Sequence, residues 1–254
     1  MTVETILTTR GVSKNFGGLW ALDGVDISVQ KGSMCLLIGP NGSGKTTLVN
    51  VVTGVYRPEH GEVFFDGKPV TGLKPHQIYR LGLVRTWQIP QPFQSLTVLE
   101  NLLASEKYNP GEGLLSALNR SKWLKFEEEA VEKAYKILKL LKLDHLWDQQ
   151  AFKLSGGQMK LLETGRALMS GAKMILMDEP AAGINPILAH EVFAYLREVN
   201  RKLGVTLLLI EHRLDLAIPY VDYVYAMHLG KIISEGKPSE VLNDIRVVES
   251  YLGG

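Results

Sequence analysis

Three short runs of this chain are apolar at nearly every position: residues 34–38 (MCLLI), 174–178 (MILMD) and 205–210 (VTLLLI). A strand covered on both faces reads this way, and its usual setting is a parallel sheet flanked by helices. Residues 6–10 and 25–29 alternate instead, which predicts strands with one polar face. The turn residues Asn15, Gly17, Gly18, Asp23 and Gly24 lie between and around them. Residues 61–66 read as another strand, closed by Asp66-Gly67, and 83–87 as one more. Residues 221–227 and 231–234 predict a hairpin about Leu229-Gly230.

Helical spacing follows the first apolar run, with Leu48, Val49, Val51 and Val52 over 47–53 and Gly54 behind them. Residues 75–81, 97–104 and 127–143 also predict helices. The last carries Val131, Ala134, Tyr135, Leu138 and Leu141 on one face and Glu and Lys on the other. Before it lies a looser stretch, 108–126, with Pro110, Gly111, Gly113, Trp123 and Phe126. Behind Ser155, placed as an N-cap, the residues Met159, Leu162, Arg166 and Met169 recur at helical spacing. Pro186 suits the first position of a helix reaching about Leu203, with Asn185 as its cap and Gly204 at its end. Two short helices close the chain. The expected architecture is one α/β unit over 1–254: a mostly parallel central sheet, an antiparallel β subdomain from the N-terminal third, and an inserted helical subdomain over 89–165. The core then takes 1–88 and 166–254.

Composition adds bounds. A chain of 254 residues with 45% apolar content can bury a full α/β core. A net charge of +1 carries no polyelectrolyte signature, so nucleic acid is not an expected partner. The single cysteine, Cys35, falls in an apolar strand as a core thiol, which fits a reducing compartment. The start, MTVETILTTR, lacks the basic and apolar regions of a signal peptide, and the apolar runs fall far short of the ~20 residues that span a bilayer. A membrane role would therefore be peripheral. No internal repeat, low-complexity tract or His/Cys metal cluster stands out.

Candidate chemistry centres on residues 38–47, IGPNGSGKTT. Gly39, Gly44, Lys45 and Thr46 complete a Gly-x-x-x-x-Gly-Lys-Thr pattern, set after a strand and before a helix as that motif requires. Glycines at 39, 42 and 44 let successive N–H groups turn inward, and with Pro40, Asn41, Ser43 and Thr47 they form a concavity for anionic oxygens at a helix N-terminus. Lys45 would reach the terminal phosphates and the Thr46 hydroxyl would ligate Mg²⁺. The chain is expected to bind a nucleoside triphosphate, on a P-loop ATPase core.

The other candidates are placed by their elements. Asp178 ends an apolar strand, where such sheets hold Mg²⁺ beside phosphates, and Glu179 next to it can polarise an attacking water. LSGGQ at 154–158 starts a helix whose glycines leave amides bare, a second anion-ready site. Gln88, at another strand end, can ligate Mg²⁺ or hold water, though most such residues are merely solvated. His212 could hydrogen-bond a γ-phosphate or be a lone surface histidine. For Phe16 a core plug is the better reading from chemistry alone, a stacking surface for a purine the other. Ile89, Phe93 and Leu96 are apolar for a loop, which suggests a partner surface.

Together these motifs resemble the nucleotide-binding subunits of ABC transporters over essentially the whole chain. The matches are residues 39–47, Gln88, LSGGQ, MILMDE at 174–179, AAGINP at 181–186, and His212. The resemblance implies that Phe16 stacks on adenine and Lys45 holds the β/γ-phosphates. It implies that Thr46 and Asp178 organise Mg²⁺ and that Gln88 senses the γ-phosphate. Glu179 would be the general base, and His212 would clamp the γ-phosphate. Ser155, Gly156, Gly157 and Gln158 would meet the ATP of an opposite subunit, so that two chains sandwich two nucleotides. Many family members carry aspartate where Asn185 stands, so a carboxylate role there is not implied. Within the family the residues 84–103, AAGINP and IEHRLDL look most like the ATPase subunits of branched-chain amino-acid importers. Urea importers and a lipopolysaccharide-exporting ATPase share much of the pattern. A non-transport ABC ATPase would use the same site, but the long coiled coil or second cassette usual there is absent. The implied partners are a second ATPase subunit, integral membrane permeases and, indirectly, an extracytoplasmic solute-binding protein. The implied location is the cytoplasmic face of the membrane.

Overall fold

The structure, a computed structural model, describes residues 4–107 and 120–252. In chain order it sets β1 (Thr5–Phe16), β2 (Leu19–Gln30), β3 (Met34–Ile38), α1 (Lys45–Val52), β4 (His60–Phe65), β5 (Lys68–Pro69), α2 (Pro75–Leu81), β6 (Leu83–Thr86) and α3 (Val98–Leu103). Then follow α4 (Arg120–Leu140), α5 (Gly156–Met169), β7 (Met174–Asp178), α6 (Pro186–Leu203), β8 (Thr206–Ile210), α7 (Leu214–Ala217), β9 (Tyr223–His228), β10 (Lys231–Gly236), α8 (Pro238–Leu242) and α9 (Ile245–Leu252).

The strands form two sheets, ordered β2-β1-β4-β5 and β10-β9-β3-β8-β7-β6. The first is antiparallel throughout. In the second, five strands run parallel from β9 to β6 and only β10 is antiparallel, joined to β9 by the hairpin the sequence predicts. Both MCLLI and TLLLI are buried at every position. The period of two then divides each strand between two cores. Leu36, Ile175, Met177, Leu207 and Leu209 pack with α3, α4, α5 and α6. Cys35, Leu37, Leu176, Leu208 and Ile210 face α1, α2 and the inner face of the antiparallel sheet. The parallel sheet is thus covered on both sides, which is why its strands show no polar alternation. Among the described residues no helix is long and apolar enough to cross a membrane.

The structure corrects the expectations at three places. The N-terminal strands run well past 6–10 and 25–29, and the reversal is confined to Gly17 and Gly18. Asn15 belongs to β1, and Asp23-Gly24 belongs to β2. The register shifts near Gly11 and Gly24 are β-bulges, and Ser13 Oγ accepts from Gly24 N at 2.9 Å, so the turn-like glycines bend strands instead of ending them. In the stretch expected to be loose, residues 120–126 open α4, while 108–119 lie outside the described residues. Helix α5 is buried on nearly all sides, including Lys160, Glu163 and Thr164, and not along the single stripe of Met159, Leu162, Arg166 and Met169. The caps fall where expected: the Asn185 side chain accepts from Leu188 N, Pro186 is first in α6, and Gly204 closes it in the left-handed conformation.

Candidate active site

Strand β3 ends at Ile38, α1 begins at Lys45, and the six residues between wrap a concavity at the carboxyl edge of the parallel sheet. At Gly39 (φ +148°) a Cβ would stand 2.2 Å from Met227 O, and at Gly44 (φ +106°) 2.5 Å from Ala21 O. Neither position accepts a side chain, so the loop follows this path only with glycine there. The cavity, about 380 Å³, is lined by Asn41, Gly42, Ser43, Gly44, Lys45, Thr46 and Thr47. Asp178, Glu179 and His212 line it from neighbouring strand ends. Pro40 contributes its carbonyl from within the loop. Lys45 is 6% exposed and donates to Gly39 O at 2.7 Å and Pro40 O at 2.9 Å. Burial lowers its pKa, and the charges of Asp178 and Glu179 oppose that shift. The ammonium is therefore partly stripped of water before any phosphate arrives.

Register brings the second group in. β7 pairs with β8, Asp178 opposite Ile210, so both strands end together and deliver Glu179 and His212 side by side. His212 Nε2 lies 3.3 Å from Glu179 Oε1, and Gln88 Nε2 donates to Glu179 Oε2 at 2.6 Å. Glu179 holds a left-handed backbone (φ +48°), uncommon without glycine, with its N–H donating to Ile210 O at 2.9 Å. His212 and Gln88, both partly open to solvent, thus each meet one oxygen of the Glu179 carboxylate. Asp178 Oδ2 accepts from Arg85 Nη2 at 3.1 Å, and Arg85 Nη1 donates to Asn50 Oδ1 at 2.6 Å.

The remaining candidates lie apart. Phe16 is 44% exposed at the tip of the β1–β2 hairpin, so it is no core plug. Its ring meets Tyr56 in an edge contact at 5.3 Å, and Lys14 Nζ sits 5.2 Å from its centre. Ser155 caps α5: its Oγ accepts from Gln158 N, and Gln158 Oε1 accepts from Ser155 N at 2.9 Å. Ser155 and Gly156 are exposed, Gly157 is buried, and none of 155–158 lines the glycine-loop cavity.

Sequence reasoning missed three buried charges that hold this edge together. Lys160 Nζ donates to the backbone carbonyls of Gln88, in a short bond, and Glu179 at 3.3 Å. Burial lowers its pKa against the pull of Glu163, Glu211 and Glu179. Burial pushes Glu163 up to about 7, opposed by Lys160 and the amides of Trp87 and Gln91. Glu211, 2% exposed, accepts from backbone amides on both strand exits. A charged residue inside an apolar run was the available signal, since such groups stay buried only when paired.

A glycine loop feeding a helix, with Asp178-Glu179, Gln88 and His212 converging on it from neighbouring strand ends, defines a P-loop ATPase. The ABC transporter family model matches residues 22–182, and the chain belongs to that family. It is 55% identical over 249 residues to the probable branched-chain amino acid transport ATP-binding protein LivG of Archaeoglobus fulgidus, covering 98% of this chain and 95% of the relative. It is 54% identical over 252 residues to the protein of the same description in Methanocaldococcus jannaschii, covering 98% and 97%. Among solved structures, a nucleotide-free ATP-binding cassette from an ABC transporter superposes with a TM-score of 0.83 at 52% identity. That match covers 99% of this chain and all of the other.

Proposed function

We propose that the chain is the ATP-hydrolysing subunit of an importer for branched-chain amino acids, bound to the cytoplasmic side of membrane permeases and working as a dimer that encloses ATP. The observation that carries the hydrolytic part is the meeting of Gln88 and His212 on the two carboxylate oxygens of Glu179, at the mouth of the glycine-loop cavity. The names of relatives more than half identical over nearly the full length support the solute.

In this reading Lys45 exchanges the carbonyls of Gly39 and Pro40 for the terminal phosphates, at small desolvation cost because it is already buried. The amides of residues 41–47 cradle the remaining oxygens. The Thr46 hydroxyl, the Asp178 carboxylate and the Gln88 amide oxygen are a hard-oxygen donor set suited to Mg²⁺, whose usual sites combine few carboxylates with substrate phosphates. When bound, Mg²⁺ supplies charge neutralisation on the phosphates. Glu179 takes the proton of the attacking water, steadied by Gln88, and His212 bonds the γ-phosphate. Phe16 offers its exposed ring to adenine, with Tyr56 buttressing it. Ser155, Gly156, Gly157 and Gln158 meet the ATP held by a second copy or a related subunit, with Ser155 and Gly156 exposed for that contact. Asn185 keeps its amide oxygen as a helix cap.

Permease contact falls on the loop after β6. Ile89 and Phe93 are exposed, Arg166 lies over the Phe93 ring, and Tyr79, Trp87, Gln91 and Glu163 line a groove beside them. A cytoplasmic helix of the permease would seat there. The solute-binding protein enters only through the permeases. The test is Lys45→Ala in membranes containing the permeases: ATP hydrolysis and uptake of labelled leucine should both fall to background. Hydrolysis at the unmutated rate would overturn the site, and hydrolysis without dependence on leucine delivery would overturn the solute.

A further inference from the structure

Glu211 carries no role in the reading above, yet it is one of the most deeply buried charged side chains in the chain, 2% exposed. It directly follows β8 and precedes His212, next to the register pair Ile210 and Asp178. Its two carboxylate oxygens are divided between the two strand exits. Oε1 accepts from Ala181 N at 2.8 Å, in the turn that follows Glu179. Oε2 accepts from His212 N at 3.2 Å and, more weakly, from Arg213 N at 3.4 Å, in the turn that carries His212.

Each turn needs such a partner. Residues 179–185 leave β7 with Glu179 in a left-handed conformation and make few backbone bonds of their own, Ala182 N to Glu179 O at 3.0 Å among them. A backbone held in that conformation persists only where its surroundings over-determine it. Lys160 restrains Glu179 from one side through its carbonyl oxygen. Glu211 restrains the next turn from the other.

We infer that Glu211 is a positioning residue for hydrolysis: its carboxylate clips the Glu179 turn to the His212 turn and so holds the base and the γ-phosphate ligand at their 3.3 Å separation. This rests on the proposed roles of Glu179 and His212. Burial raises the Glu211 pKa, the amides of Ala181, Arg213 and His212 lower it, and the Glu179 charge raises it again; Lys160 is the cation that feels its charge. A shorter or apolar residue there would leave the Ala181 and His212 amides without their acceptor.

The test compares Glu211→Ala and Glu211→Gln with the unmutated full chain. Glutamine keeps the shape and one acceptor oxygen, so it can serve one turn but presents an NH₂ to the other. At saturating ATP, kcat should fall about tenfold or more in Glu211→Ala, since misplacing a reacting group by ~1 Å costs up to about a hundredfold. Glu211→Gln should lie between, with KM for ATP within about twofold in both, because no part of residues 39–47 contacts the carboxylate. Hydrogen exchange followed by mass spectrometry should show faster exchange in 179–185 and 211–213, and unchanged exchange in 39–47. Equal kcat in all three proteins, or unaltered exchange in 179–185, would overturn the inference. Glu211→Gln carries the test if Glu211→Ala does not fold. If hydrolysis by the unmutated chain proves independent of Lys45 and Glu179, the proposed site fails, while the exchange of 179–185 still decides whether Glu211 is a clip.

Discussion

Two helix starts in this molecule use the same local device and end up in opposite situations. At Lys45, α1 begins behind glycines inside a cavity that the ends of β7 and β8 help to wall, and a buried lysine waits in it. At Gly156, α5 begins behind Ser155 with two glycines, but the capping box closes on itself and the turn faces outward. The first is a site within one chain. The second has its Ser155 and Gln158 amides closed by its own capping box and lies outside the glycine-loop cavity. Glycine and a helix dipole make an anion site only where walls surround them, and in the proposed function α5 takes its walls from a second chain.

The widest break in that comparison is chemical. Glu179→Gln keeps size and hydrogen bonding while removing the base, so kcat should fall by about 10²- to 10⁴-fold with ATP binding retained. Steady-state hydrolysis alongside equilibrium nucleotide binding checks both halves. Next come the glycines. Gly44→Ala puts a Cβ 2.5 Å from a backbone oxygen at φ +106°, and should weaken ATP binding by the isolated chain at least tenfold. Gly156→Ala meets only Ile184 Cγ2 at 3.2 Å, so ATP affinity of the isolated chain should stay within about twofold. A similar loss in both variants would erase the distinction between the two helix starts. Smaller still, Ser155→Ala removes the cap of α5 and should cost about 1 kcal/mol in denaturant unfolding.

A separate effect concerns pH. Burial raises Glu163 from an ordinary 4.5 to about 7. Between those values the folded chain keeps a proton that the unfolded chain releases, so stability falls as pH rises through that window. Glu163→Gln should flatten the slope there, and unfolding midpoints at pH 4.5 and 7 would show it.

Much of this was legible in the chain. The fully apolar runs mark the parallel strands because both faces are covered, and Ser155, Asn185, Pro186 and Gly204 mark helix ends because capping is a local matter. The glycine loop was legible for the same reason. The extent of β1 and β2 was not, since bulges at Gly11 and Gly24 carry the residue signature of turns. Nor were Lys160, Glu163 and Glu211. Periodicity locates one buried stripe, but α5 is buried on nearly all sides, beyond the stripe its spacing marks. Lys160 reaches a backbone oxygen 72 residues away, and Glu211 accepts from an amide 30 residues away besides those of its own neighbours, long-range pairings that no local pattern encodes. Phe16 was ambiguous for a related reason: an aromatic in a turn packs inward or stays open according to what the rest of the chain puts beside it.

In the proposed function, ATP joins the walled site of one chain to the α5 helix start of another. The direct measurement is light scattering of Glu179→Gln, first with ATP and then with ADP, at concentrations where nucleotide occupies the glycine loop. The γ-phosphate is the anion that Ser155 and Gly157 of the second chain would bind, so the account predicts a dimer with ATP and a monomer with ADP. A monomer under both conditions would contradict it.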